Sequence, residues 1–161
     1  MDFVRSEPGD DPIVVESYFA APPETLYRAW TDPDIVMKWF GPAPNTLHSA
    51  SIDLRPGGAW QFLKSGEAEK PSGFEGEYVE IEPGLRLVFT WAQIFDDPNG
   101  QRQSGPASQV EVSFTARGKG TNVRVVHSAV HDEDTRNNFG RGWSLAFNTM
   151  TDLFSNPAKV S

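Results

Sequence analysis

Three histidines, His48, His127 and His131, are the side chains of this sequence that could exchange protons near neutral pH, since cysteine is absent. Strand alternation places His127 beside Val123 and Val125 on an inward face. In an apolar pocket such an imidazole could serve as a general acid or base, and Tyr78 is the alternative candidate for that role. The simpler reading is a strand-end histidine, half exposed or hydrogen-bonded to backbone. His131 sits among acids that cap and solvate a helix start, and His48 points outward. His127 and His131 stand four apart, but across a strand-to-loop boundary where helical spacing does not apply. No other spacing sets two or three ligands on one element, so neither a metal nor a cofactor is expected. There is no Gly-x-Ser-x-Gly elbow, phosphate-binding loop or dinucleotide fingerprint. Glu75/Glu77 and Glu80/Glu82 alternate as a solvated strand face does, so they are no matched acid and base. No residue is assigned a catalytic role.

The aromatic and long apolar side chains are the second candidate set. By periodicity Trp60, Phe62, Phe74, Tyr78, Phe89, Trp91, Phe114, Phe139, Trp143, Phe147 and Met150 face one shared interior. Singly, each reads as core. Tyr78, Trp91, Gln93 and His127 could each present a polar group to an otherwise apolar space, as small-molecule sites require.

The element that must position these groups is the stretch His131–Phe154. At about 100° per residue, Phe139, Trp143, Ala146, Phe147, Met150, Leu153 and Phe154 fall within an arc of about 120°. Arg141, Ser144, Asn148, Asp152 and Ser155 fall opposite, and Leu145 lies off the stripe. Asp132, Glu133 and Asp134 cap its start and Asn156-Pro157 stops it. Gly142, beside Trp143, is read as letting the helix backbone approach a sheet.

Prolines divide what precedes. Ile13–Phe19 is a strand, and Pro22-Pro23-Glu24 opens a short helix with Leu26, Tyr27, Ala29 and Trp30 on its apolar side. Asp32-Pro33 caps a second, with Ile35, Val36, Trp39 and Phe40 inward, ended by Gly41-Pro42. From Thr46 the period drops to two. Strands follow over Leu47–Leu54, around Trp60 and Phe62, over Phe74–Ile81 (with Gly76 at a bulge or close approach), along Leu87–Phe95, around Val110–Phe114 and around Val123–His127. Lys64–Gly73 and Asp96–Ser108 read as polar loops. The order predicts an α+β class: an antiparallel sheet of six or seven strands curved around a long C-terminal helix, with two short helices after the first strand. Such a sheet leaves space near the helix unless side chains fill it.

Size and charge bound the rest. The 161 residues make one domain, taken as 12–157 after a flexible 1–11 segment. A net charge of −8 without a basic run argues against nucleic acid. No window reaches the roughly 18 apolar residues of a membrane span, so no integral membrane contact is expected, and the polar start lacks a signal-peptide core. A cytoplasmic location follows as the expectation.

The element order resembles that of the START/pollen-allergen superfamily (SRPBCC), whose helix-grip fold wraps a sheet around a C-terminal helix over a deep pocket. Ala21-Pro22-Pro23-Glu24, Arg28-Ala29-Trp30-Thr31-Asp32-Pro33, Trp39-Phe40-Gly41-Pro42 and Asp53-Leu54-Arg55-Pro56-Gly57-Gly58 are similar to motifs in the bacterial relatives of the heat-shock protein 90 ATPase activator. So are Gly76-Glu77-Tyr78-Val79-Glu80-Ile81, Leu87-Val88-Phe89-Thr90-Trp91 and Gly142-Trp143, in the family's order from about Val14 to Phe154. The resemblance implies a helix-grip fold and a family whose members mostly lack an assigned ligand. It also implies a homodimer as one state and a chaperone as one partner. The chaperone-stimulating proteins carry a further N-terminal domain, for which this chain has no room.

The expected function is binding of a small hydrophobic or amphipathic molecule between sheet and helix, against Trp60, Phe62, Tyr78, Phe89, Trp91, Gln93, His127, Trp143, Phe147 and Met150. A cyclase- or hydrolase-like enzyme using His127 or Tyr78 is the alternative, and a chaperone-ATPase-interacting module the third.

Overall fold

The computed structural model describes residues 4–5, 11–40, 47–64 and 73–155. In chain order the elements are β1 (Val4–Arg5), β2 (Ile13–Phe19), α1 (Pro23–Thr31), α2 (Pro33–Trp39), β3 (Leu47–Ile52), β4 (Ala59–Lys64) and β5 (Gly73–Glu82). There follow β6 (Arg86–Asp96), β7 (Arg102–Ser104), β8 (Ser108–Arg117), β9 (Gly120–Ser128) and α3 (Glu133–Phe154). The architecture is α+β, a curled antiparallel half-barrel sheet gripped around α3. The strands run in the order β1-β2-β9-β8-β6-β5-β4-β3, with β7 added on β6. Seven of them are the long strands that alternation predicts.

The two short strands were not foreseen. β1 lies within the segment read as flexible and pairs with β2 through Val4↔Glu16 and Arg5↔Val15. β7 turns the expected 96–108 loop into a hairpin extension of β6. Its cause is local: Asp97 Oδ1 accepts from the backbone N–H groups of Asn99 and Gln101, both at 2.9 Å, and Gly100 takes φ +77°. The Gly41-Pro42 stop, most of the 64–73 loop and Asn156-Pro157 lie outside the described residues.

The helices start where their caps dictate. Asp32 accepts from Asp34 N–H ahead of α2, and Asp132 from Thr135 N–H at 2.7 Å ahead of α3. Trp39 Nε1 donates to Ala29 O at 2.8 Å, fastening α2 to α1. On α3 the predicted stripe is buried from Trp143 onward and half-buried at Phe139, and Ser144 and Thr149 are buried as well. The buried face is wider than an arc of 120° because α3 packs on both β2 and α2. Leu145 is exposed. No described helix is long and apolar enough to cross a membrane.

Gly76 resolves to a close approach. A Cβ there would lie 2.0 Å from Thr90 O, while the bulge of β5 sits two residues later, between Tyr78 and Glu80. Gly76 pairs with Trp60 on β4, and the β5–β6 register brings Trp91 to its other side. The missing side chain lets the Trp60 and Trp91 rings meet across the strand at 5.3 Å.

Candidate binding cleft

The aromatic interior is continuous but not uniformly closed. Around the C-terminal half of α3 it is packed shut: Phe147 and Met150 are fully buried, and Phe19 meets Phe147 and Phe154 edge-on at 5.8 and 6.0 Å. Trp60, Phe62, Tyr78 and Phe89 surround a void of about 10 Å³, together with Trp30, Trp39, Phe40, Trp91 and Trp143. That is room for one water-sized sphere and for no ligand. Burial and the nearby Tyr27 push the Tyr78 phenol far above its usual range.

Along the N-terminal half of α3 the same helix face changes character. Thr135, Asn138, Gly142 and Ala146 recur at spacings of three and four, small or polar where the later turns are aromatic. They form one wall of an open cleft of about 230 Å³, with Phe139 and Trp143 beside them and Phe40, Lys64, Phe74, Trp91 and Gln93 opposite. A Cβ on Gly142 would meet nothing within 4 Å, so this glycine does not serve the close helix–sheet contact expected of it. It leaves the cleft wall bare. A second hollow of about 270 Å³ shares Gln93, Thr135 and Phe139, and continues past Phe95, Gly105, Pro106, Ser108, Val130 and His131.

Of the sequence-predicted residues, Trp91, Gln93 and Trp143 line the cleft. Trp60, Phe62, Tyr78 and Phe89 lie behind it, around the small void, and Phe147 and Met150 lie deeper along α3. Lys64, Thr135 and Asn138 were missed. The signal was present, since Lys64 follows Phe62 by one strand period and Thr135, Asn138 and Gly142 continue the helical stripe. A search for apolar residues passes over them. His48 and His131 are exposed, the latter with Nε2 2.6 Å from Asp132 Oδ2. Among the described residues no three metal-ligating side chains gather.

His127 is fully buried behind the cleft, stacked on Phe139 at 5.3 Å and 11°. Its Nε2 lies 2.7 Å from Ser108 Oγ, and its Nδ1 accepts from Trp143 Nε1 at 3.1 Å. A serine and an imidazole at this distance resemble a nucleophile and its base, but the other nitrogen decides the matter. An indole N–H can only donate, so Nδ1 must be the unprotonated acceptor. The neutral ring therefore carries its proton on Nε2 and donates it to Ser108 Oγ, whose own hydrogen goes to Trp91 O at 3.0 Å. The base position facing the serine is already occupied. Burial lowers the imidazole pKa to about 3, so the ring is neutral at pH 7. These contacts brace the cleft's two tryptophans and leave no free lone pair on Nε2 facing Ser108.

The indole donors are otherwise divided. Trp39, Trp60 and Trp143 donate to Ala29 O, Thr90 O and His127 Nδ1. Trp30 and Trp91 Nε1 are buried with no hydrogen-bond partner. An unpaired buried donor costs about 1–3 kcal/mol, which an acceptor arriving with a ligand can recover.

Residues 20–155 match the family model for Activator of Hsp90 ATPase homolog 1-like protein. No curated protein matches the chain. Solved structures with this fold include protein Ms6760 from Mycobacterium smegmatis, with TM-score 0.71, 20% identity and coverage of 96% of this chain and 97% of that one. CalU16 from Micromonospora echinospora has TM-score 0.68 at 24% identity, covering 98% and 89%. The AHSA1 protein SPO3351 from Silicibacter pomeroyi has TM-score 0.71 at 21% identity, covering 89% and 97%. At these identities the likeness is one of fold.

Proposed function

The chain belongs to the Activator of Hsp90 ATPase homolog 1-like family, within the SRPBCC superfamily, and from that premise we propose that it binds a small hydrophobic or amphipathic molecule in the cleft between α3 and strands β4–β6. One observation carries this reading: the aromatic core stops where α3 turns to Thr135, Asn138, Gly142 and Ala146, leaving about 230 Å³ walled by five aromatic rings. A packed core would have continued the aromatic stripe. Affinity would come from burying apolar ligand surface, at roughly 25 cal/mol per Å² before ordering costs. Gln93, Thr135 and Asn138 at the rim would orient the ligand. The adjoining hollow past Phe139 allows one end of a longer ligand to extend.

An enzymatic reading through His127 or Tyr78 has weaker support. His127 holds its proton on the nitrogen that faces Ser108, and Tyr78 lies behind the cleft wall.

The test is native purification, solvent extraction and mass spectrometry of what co-purifies, followed by thermal-shift screening against aromatic and lipid-like compounds. A stoichiometric apolar compound, or a compound that raises the melting temperature and quenches tryptophan fluorescence, is the expected result. An empty extract with no shift across the panel would overturn the reading and bring the chaperone-ATPase module forward.

A further inference from the structure

We propose that the ligand of this cleft is an anion: an aromatic or alicyclic molecule bearing a carboxylate, sulfonate or similar acidic group, its charge held by Lys64. The inference rests on the binding reading above and adds the sign of the charge.

Among the residues that line the cleft, Lys64 alone is charged. Its ammonium stands 5.0 Å above the Phe74 ring, which sets a cation directly over the apolar wall. Among the described residues no carboxylate pairs with it, although the chain carries 22 acidic side chains against 14 basic ones.

The neutral polar groups point the same way. Trp91 Nε1, buried without a partner, belongs to a ring that forms the wall beneath Lys64, 4.5 Å from Phe74. It can only donate. Asn138 Oδ1 already accepts from Arg141, which leaves the amide N–H₂ as the group that side chain can offer. The ammonium and the amide at the rim and the indole in the wall beneath are donors, while Gln93 and Thr135 can turn either kind of group to a ligand. Such a set favours acceptors, most strongly negatively charged ones. An apolar ring system suits the walls, since Phe40, Phe74, Trp91, Phe139 and Trp143 all border this one space. The net charge of −8 makes this specific. Without Lys64 the field of the protein would disfavour any anion at this site.

Two dyes with one arylaminonaphthalene skeleton separate the claims: 8-anilinonaphthalene-1-sulfonate, an anion, and N-phenyl-1-naphthylamine, which is neutral. Dissociation constants for both come from fluorescence titration of the wild-type protein and of Lys64→Gln at one low ionic strength. The ratio of the two constants is the readout, so a general loss of structure cancels. Lys64→Gln is expected to move the ratio about fivefold toward the neutral dye. A ratio that does not move while Gly142→Leu abolishes the binding of both dyes overturns the anion proposal and leaves the cleft reading standing. Neither dye binding the wild-type protein overturns both. Binding that survives Gly142→Leu places the dyes elsewhere and also overturns the proposal.

Discussion

Taking the protein from pH 6.5 down to about 3 should cost the folded state up to about 5 kcal/mol through His127 alone. The sign follows from where the proton goes. An unfolded chain binds a proton on His127 near its ordinary pKa of 6.5, whereas the folded chain resists until about pH 3. Between those values the unfolded state holds the extra proton, so stability rises with pH and falls as acid is added. Above 6.5 both states are neutral and the contribution is flat. The slope in the window is about 1.4 kcal/mol per pH unit for one proton. Denaturant unfolding at several pH values should show that slope in the wild-type protein in excess of the His127→Gln variant. Other titrating groups, including Asp132, contribute to both proteins and cancel in the difference. Ring ¹⁵N shifts at pH 5 should report a neutral imidazole protonated on Nε2. A His127 that titrates near 6.5 in the folded protein would refute the buried-acceptor geometry, and a His127→Gln slope equal to wild type would refute the linkage.

The prediction turns on a part of the site that the sequence hides. Alternation along β9 is enough to put His127 inward with Val123 and Val125, and all three are buried. It says nothing about what lies at each ring nitrogen. That depends on Trp143 from α3 and Ser108 from β8, which are 16 and 19 residues distant and meet the ring only once α3 is laid across the sheet. An acid–base role and a structural role are therefore indistinguishable from the residue type and its spacing. They separate only when the donor or acceptor nature of each partner is known.

The fold was more legible for a physical reason. Strand and helix periods are local, prolines and capping aspartates mark the ends, and a half-buried sheet has to cover an apolar helix face. The 96–108 segment escaped because its hairpin is specified by one aspartate side chain folding onto two backbone N–H groups rather than by alternating apolar residues. The cleft escaped differently. A cavity is a place where side chains are too small, so it is written in Thr135, Gly142 and Ala146 and not in the aromatic residues that draw attention. Of the residues expected at the ligand, Trp60, Phe62, Tyr78, Phe89, Phe147 and Met150 lie in packed core or around a void of about 10 Å³, and His127 is buried behind the cleft.

Gly142→Leu should therefore abolish ligand binding, by about 100-fold or more, while raising stability. The two effects have separate origins. Gly142 lies mid-helix at an exposed position, where replacement by a strong helix former gains about 0.8–1 kcal/mol in helix propensity. Nothing stands within 4 Å of the added Cβ, so the branch point itself meets open space. Helix side chains lean toward the N-terminus, which carries the leucine over Asn138 and Phe139, both cleft residues. Four carbons placed there take much of a space of about 230 Å³ and stand where a ring would lie. Loss of about 100-fold corresponds to about 2.7 kcal/mol, the scale of displacing one buried apolar group. Thermal denaturation and titration with the neutral naphthylamine dye, run on the same preparation, check both halves. Misfolding would lower stability and binding together. A higher melting temperature with binding lost can come only from filling the cleft, and a higher melting temperature with binding intact would place the ligand elsewhere.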